Sequence, residues 1–309
     1  MERRSIVAGL AVLALAVLPA LTPPLAAQQR RDRDDLDGDR IDTTVTLARD
    51  GTVDLSLVSG EILVNSWNRN DVRVRASSER GVLRFDASPS RVTLTVRSRR
   101  GEMGDTRYEI TVPATARIIA RSVSGDISTQ GGSDVEAHTV SGDVRVQDAS
   151  GRTNAESVSG SVEVRHVGGG LRAHSVSGDL TLADITGDVD VETTSGEIEL
   201  QGVRSSYVRA ESVSGDTHFA GTFDPKGTYE FHSHSGDIRL VFPPVGATLS
   251  IQTFSGDVDS DYPMTLRPGS RTDGKHLQFT IDGGGARVSA ETFSGDITIE
   301  RASSARQED

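Results

Sequence analysis

Residues 138–180 read HTVSGDVRVQDASGRTNAESVSGSVEVRHVGGGLRAHSVSGDL, three passes through one short pattern in which a Ser-Gly pair closes an alternating apolar and polar run. Alternation over four to six positions puts successive side chains on opposite faces, the signature of a strand, and Gly, Ser or Asp then interrupts it. The same pair places its glycine at 60, 125, 142, 160, 178, 196, 215, 236, 256 and 295, with spacings of 65, 17, 18, 18, 18, 19, 21, 20 and 39. A unit this short cannot bury a core by itself, so the units must stack. The spacing predicts an all-β fold, a single-stranded parallel β-helix or β-solenoid with about 18–20 residues per coil and no significant helix outside a leader. By division, the gap of 65 would hold about three less regular units and the gap of 39 one irregular coil.

Alignment on the glycine produces columns. Two and four residues after it stand Ile127, Val144, Val162, Leu180, Ile198, Ile238, Val258 and Ile297, then Val146, Val164, Leu182, Leu200, Phe219, Leu240 and Ile299. These read as the inward face of a strand. Five before it stand Ala120, Ala137, Ala155, Ala173, Val191, Ala210, Phe231, Ile251 and Ala290, a mostly small column where two walls of a narrow coil would meet. Two before it runs Val58, Val123, Val140, Val158, Val176, Val213, Phe254 and Phe293, broken by Thr194 and His234. A bend at the corner would make this column core, the reading favoured here. Strict alternation would instead turn it outward as an apolar interaction stripe.

Polar columns flank these. The residue before the glycine is serine in all ten units: Ser59, Ser124, Ser141, Ser159, Ser177, Ser195, Ser214, Ser235, Ser255 and Ser294. Stacked hydroxyls at strand spacing are expected to form a structural ladder rather than a catalytic site. One after the glycine, nine of ten units carry a carboxylate: Glu61, Asp126, Asp143, Asp179, Glu197, Asp216, Asp237, Asp257 and Asp296, with Ser161 the exception. Like charges about 4.8 Å apart repel by roughly 1 kcal/mol in water, so each carboxylate is expected to accept backbone N–H groups of its own turn. Ca²⁺ shared between Asp126, Asp143, Asp179, Glu197, Asp216, Asp237, Asp257 and Asp296 is the sharper alternative. The glycine-rich nonapeptide of calcium-binding β-rolls is absent. A third column, four before the glycine, mixes His138, His174 and His232 with glutamates, and His232 and His234 form an i, i+2 pair. These histidines would be the ligands of any transition metal, although no tetrahedral set is forced by their spacing. The expectation is no cofactor.

Composition narrows the remaining choices. The chain has 309 residues, 25% charged and 35% hydrophobic, a formal charge of −12 and no cysteine. That surface is unsuited to nucleic acid, and disulfides, thiolate chemistry and Cys-ligated metals are excluded. Arg3 and Arg4, the apolar run Ile6 to Leu21 and the small residues before Gln28 read as a cleavable signal peptide, 1–27, leaving no transmembrane anchor in the mature chain. Residues 28–42 read as a charged flexible linker, 43–118 as an irregular N-terminal β segment or cap, and 302–309 as a disordered tail. Between them, 119–301 reads as the solenoid, with ten recognisable coils.

The segments RSVSGDI from Arg121, TVSGDV from Thr139, SVSGDL from Ser175, SVSGD from Ser212 and TFSGDI from Thr292, with the VPA and FPP elements at 112–114 and 242–244, carry a family likeness. Over about residues 44–300 the pattern resembles the bacterial putative-adhesin domain of unknown function, an exported solenoid of SGD repeats. The resemblance implies architecture and brings no catalytic residues.

Enzyme signatures are missing: there is no HExxH, no GxSxG elbow and no P-loop. The reading is an exported, non-enzymatic protein of the periplasm, cell surface or medium, an adhesin or envelope scaffold presenting a repetitive acidic face to a surface polymer or protein. End-to-end or side-by-side self-association is a further expectation. The alternative is a carbohydrate-active β-helix enzyme acting on an envelope polysaccharide with paired carboxylates. Trp67 and the stretch Ser260 to Gly274, with Tyr262, Met264, Arg267 and Arg271, are expected to pack the ends.

Overall fold

The computed structural model describes residues 39–98, 104–263, 265, 266 and 276–302. The expected signal peptide, most of the expected linker, Met264, Arg267, Arg271 and residues 303–309 lie outside the described residues. The described residues form strands and turns with no helix, so none is long and apolar enough to cross a membrane.

Each coil contributes one strand to each of two facing walls. Leu171–Ser177, for example, lies in the first wall, the chain turns at Gly178, and Leu180–Ile185 lies in the second. Neighbouring coils pair in parallel and in register, with shifts at Gln201/Val203 and Ser205/Tyr207 where the repeat lengthens. Ala137 faces Ala155, Ala155 faces Ala173 and Ala173 faces Val191 along the first wall. Val144, Val162, Leu180 and Ile198 align along the second. These columns are buried, as their period-2 placement requires. The all-β solenoid read from the repeat is therefore the fold.

The core changes character towards the C-terminal half. Where the repeat lengthens from 18 to 19–21 residues, the strands Ile198–Ser214 and Thr217–Ser235 run unbroken from one wall round to the other. Aromatic rings fill the wider interior: Phe223 lies 4.3 Å from Tyr229 and 4.5 Å from Phe242, and Phe242 stacks on Tyr262 at 5.0 Å. Buried Tyr262 donates its hydroxyl to the Phe242 carbonyl at 2.6 Å, so it packs the core near that end, as expected. Trp67 donates Nε1–H to the Asp71 carbonyl at 2.8 Å and carries Arg69 over its ring.

The ends differ from the expected coil count. Gly60 pairs directly with Gly125, so the gap of 65 holds no intervening stack of units. Instead, strands Arg91–Ser98 and Thr106–Pro113 form an extra rung outside the Gly60 coil. Antiparallel partners then close it: Gly81–Ser88 on the first strand, Asp71–Ser78 on the second and Arg40–Thr46 on Asp71–Ser78. The N-terminal segment thus contains a regular coil, and the expected linker already enters a strand at Arg40. Nine Ser-Gly coils lie within 119–301 and the tenth is the Gly60 coil.

The other end repeats this device. The Gly295 coil, last in sequence, inserts between those of Gly236 and Gly256. The gap of 39 is an antiparallel excursion in which His276–Ile281 pairs with Ala247–Ser255 and Thr265–Leu266 pairs with His276–Ile281. The glycine stretch Asp282 to Ala286 is the turn that leads the chain back inside. Antiparallel strands therefore cover both walls of the outermost parallel rung at the N-terminal end and its first wall at the other, as exposed sheet edges require.

One residue type allows the rungs to close at the Ser-Gly corner. A Cβ built on Gly178 would lie 2.2 Å from the Gly160 carbonyl oxygen, one on Gly160 2.0 Å from that of Gly142, and one on Gly215 2.1 Å from that of Gly196. The same contact runs unbroken from Gly256 through Gly295 and Gly236 down to Gly60. Each carbonyl occupies the space that a side chain would need. Gly178→Ala is expected to lower unfolding free energy by about 2 kcal/mol through overpacking, whereas Ser177→Ala, at an exposed position, should change it by less than about 0.5 kcal/mol. Chemical denaturation of the two variants measures both.

Candidate interaction face

The Ser-Gly corner exposes three columns and buries a fourth. The Ser or Thr three residues before the glycine points inward, and on six rungs it donates its hydroxyl to the glycine carbonyl of the neighbouring rung, whereas the buried hydroxyls of Ser122, Ser212 and Ser233 make no such bond. Thr139 bonds Gly125 at 3.1 Å, Ser157 bonds Gly142 at 3.0 Å, Thr292 bonds Gly236 at 3.1 Å and Thr253 bonds Gly295 at 3.0 Å. The hydroxyl ladder expected of the serine before the glycine belongs to this inner column. Ser124, Ser141, Ser159, Ser177, Ser195, Ser214, Ser235, Ser255 and Ser294 are exposed. Their main chain still joins the stack, since the carbonyls of Ser195, Ser214, Ser235, Ser255 and Ser294 accept the glycine N–H of the next rung. No composition rule separates the two serine columns; their distance from the bend does.

The carboxylates form a second ladder between rungs rather than within their own turns. Asp126 Oδ1 accepts the Asp143 N–H at 2.9 Å and Asp143 that of Ser161 at 3.1 Å; Asp179 accepts that of Glu197 at 3.0 Å. Further along, Asp216 serves Asp237, Asp237 serves Asp296 and Asp296 serves Asp257, at 2.8–2.9 Å. Each such bond sets a charged acceptor on an N–H that the bend leaves without a strand partner, which offsets the repulsion between like charges. The order Asp237, Asp296, Asp257 again records the inserted last coil. Among the described residues, no three His, Asp or Glu side chains converge as a metal-binding group.

The column two before the glycine faces outward. Val123, Val140, Val158, Val176 and Val213 are 36–51% exposed, and Phe254 and Phe293 are 59% and 51% exposed. The bend begins after this position, so strict alternation with the buried column three before the glycine carries through, and the core placement favoured from sequence is corrected. In rung order the stripe runs Val123, Val140, Val158, Val176, Thr194, Val213, His234, Phe293, Phe254. The insertion of the last coil stacks Phe293 between His234 at 5.1 Å and Phe254 at 4.8 Å, with ring planes 12° and 5° apart.

Beside the stripe, the histidine column pairs with carboxylates. His138 Nδ1 lies 2.9 Å from Glu156 and its Nε2 3.3 Å from Glu136; His174 lies 3.9 Å from Glu192 and His232 3.7 Å from Glu291. Burial pushes the Glu136 carboxyl up, but the charges of Arg121 and His138 and hydrogen bonds from Arg121 and Arg117 outweigh it, so its pKa falls below 4.5. On the opposite corner, sequence reading missed His166. Asp148, His166 and Asp184 share a left-handed backbone turn, and the imidazole bridges the two carboxylates at 3.3 and 3.5 Å. The positive-φ turn, filled by Gly131 and Gly202 on other rungs, was the available signal.

Two outcomes follow for these groups. Asp143→Ala should destabilise the chain by about 1 kcal/mol by stranding the Ser161 N–H, while Asp143→Asn, which keeps the acceptor, should cost less than half of that. For Glu136, the lowered folded pKa means stability present above 4.5 and lost as pH falls through the folded value. Glu136→Gln should therefore lie about 1 kcal/mol below the parent at pH 7 and converge with it in acid, as read by denaturation at several pH values.

The family model described as Toastrack DUF4097 matches residues 68–300. Three solved structures show a likeness at low identity. One is a putative adhesin from Bacteroides fragilis, 14% identical, covering 85% of this chain and 96% of its own, with a TM-score of 0.37. The second is a putative adhesin from Parabacteroides merdae, 8% identical, covering 86% and 97%, with a TM-score of 0.35. The third is a putative cell adhesion protein from Clostridium sporogenes, 10% identical, covering 85% and 99%, with a TM-score of 0.28. No curated protein matches the chain significantly.

Proposed function

Because this chain belongs to the Toastrack DUF4097 family, and its matched region carries nine of the ten Ser-Gly coils, we propose that it is an exported, non-enzymatic adhesin or envelope scaffold. The observation that carries the reading is the corner where exposed serine and carboxylate columns repeat on rung after rung. Ten rungs at about 4.8 Å make a display edge of roughly 45 Å. One carboxylate oxygen of each ladder aspartate is held by the neighbouring rung, which fixes the side chain and directs its charge outward. Rigid, equally spaced and chemically equivalent contacts suit a ligand that is itself repetitive, a surface polymer or an array of proteins, because many weak bonds add as avidity. The −12 charge of the chain favours a ligand with a cationic or hydroxyl-rich face over nucleic acid.

A carbohydrate-active enzyme needs a carboxyl pair free to exchange protons across a bound sugar. The aspartates of the ladder are instead committed as acceptors to the main chain of the next rung.

The test joins location to binding. Intact source cells are treated with protease and with antibody against residues 39–302, with lysed cells as the control for detection. Labelling of intact cells is the expected outcome for an adhesin, and labelling only after lysis removes adhesion and leaves the envelope scaffold. In either compartment, retention of the full chain on isolated envelope or host-surface material should fall more than tenfold when Asp126, Asp179, Asp216 and Asp237 are changed together to Asn, which keeps the ladder acceptors. Unchanged retention in that variant overturns the acidic display face.

A further inference from the structure

The exposed Val/Phe stripe lies on the first-wall side of the corner, apart from the carboxylate column on the other side. We propose that this stripe joins two copies of the chain side by side and antiparallel, with the two-fold axis passing through Thr194. Pairing of this kind does not depend on the function proposed above: it covers the serine column on one side and leaves the carboxylate edge open.

The first support is area. Seven residues exposed by 36–59% present about 500 Å² of mostly apolar surface, at the upper range of patches on monomers. With the serines on one side and the His/Glu column on the other, each copy would bury roughly 800 Å², the size of a standard specific interface. Strands in register set one stripe residue on each rung, so contact can extend from rung to rung.

The second support is complementarity, which selects orientation and register. Rotation about an axis through Thr194 and perpendicular to the rod sets Phe254 against Val123, Phe293 against Val140, His234 against Val158, Val213 against Val176, and Thr194 against itself. Each ring meets a small aliphatic side chain, and the gap between the copies stays even. A parallel pair would put rings against rings at one end and valines against valines at the other, wedging the copies apart.

The same rotation lays the flanking column against itself in reverse order. His138 then faces Glu291, Glu156 faces His232 and His174 faces Glu211, with Arg121 opposite Gln252. Three imidazole–carboxylate pairs form on each side of the axis, and Glu192 is the sole like-charged meeting in that column. Moving the axis by half a rung sets Glu156 against Glu211 and His138 against His232, so the axis at Thr194 is the better register. In the next column out, Asp190 already lies 3.0 Å from Arg172 and 3.7 Å from Arg209. Near the axis these would mix with their symmetry mates as a network of both signs.

The chain contains no cysteine, which makes the geometry directly testable. Sedimentation of the purified full chain between about 1 and 100 μM should show a species of twice the 32.9 kDa monomer mass at the upper concentrations. Val158→Asp with Val176→Asp should weaken dimerisation at least a hundredfold while leaving the thermal unfolding of the monomer in place. Val158→Ser with Val176→Ser serves as a milder pair, expected to weaken it about tenfold. Under mild oxidation, Thr194→Cys should cross-link the dimer and Val123→Cys should not, because the two copies of position 123 lie eight rungs, roughly 40 Å, apart in the antiparallel pair. A monomer at every concentration, or a dimer indifferent to both Val158/Val176 pairs, overturns the proposal and assigns the stripe to a foreign partner. Cross-linking through Val123→Cys as readily as through Thr194→Cys overturns the antiparallel arrangement.

Discussion

The structure depends on how closely one backbone can approach the next at the Ser-Gly corner. At each rung the glycine carbonyl sits about 2 Å from the point where its neighbour's Cβ would be. With a side chain there, the corner would have to open, and the strands on both sides would move apart with it. Because no side chain intervenes, the rungs keep the spacing of hydrogen-bonded strands through the bend. The inner hydroxyl donates to the same glycine carbonyl and the following aspartate accepts the next rung's N–H. Glycine, hydroxyl and carboxylate thus form one device, in which the tight turn creates unpaired main-chain groups and its two neighbours satisfy them.

A stack of identical rungs has two raw edges, and the chain protects them by topology. At each end the coil nearest the chain terminus is threaded one position inward, and a later or earlier segment lies outside it before antiparallel strands close the stack. The terminal coils therefore have partners on both sides. The arrangement also makes the most exposed parallel rung continuous with a hairpin rather than with a loose end, which opposes end-to-end growth. The exposed stripe runs along the side of the stack, where the proposed pairing would take place.

The regular coils were legible because their columns repeat with little noise. Buried positions two and four after the glycine and five before it follow from alternation alone, and so does the parallel register. The end coils were not legible. Their spacings of 65 and 39 match either degenerate units or inserted hairpins, and chain order says nothing about which strand will pair outermost. The stripe was half legible: its apolar character is plain from Val123 to Phe293, but its side depends on whether the bend falls before or after it. The serine column erred for the same reason, since Ser175 and Ser177 are alike in sequence and one is buried while the other is exposed.

The sequence by itself determined the period, the strand character, the inward columns and the acidic corner, because these depend on local alternation and on a residue type repeated at a fixed interval. Tertiary structure decided the order of the rungs at both ends, the outward turn of the valines and the choice of hydroxyl for the ladder. Those outcomes turn on the direction of a backbone bend and on pairing between segments up to 65 residues apart, and neither is encoded in the neighbourhood of any single residue.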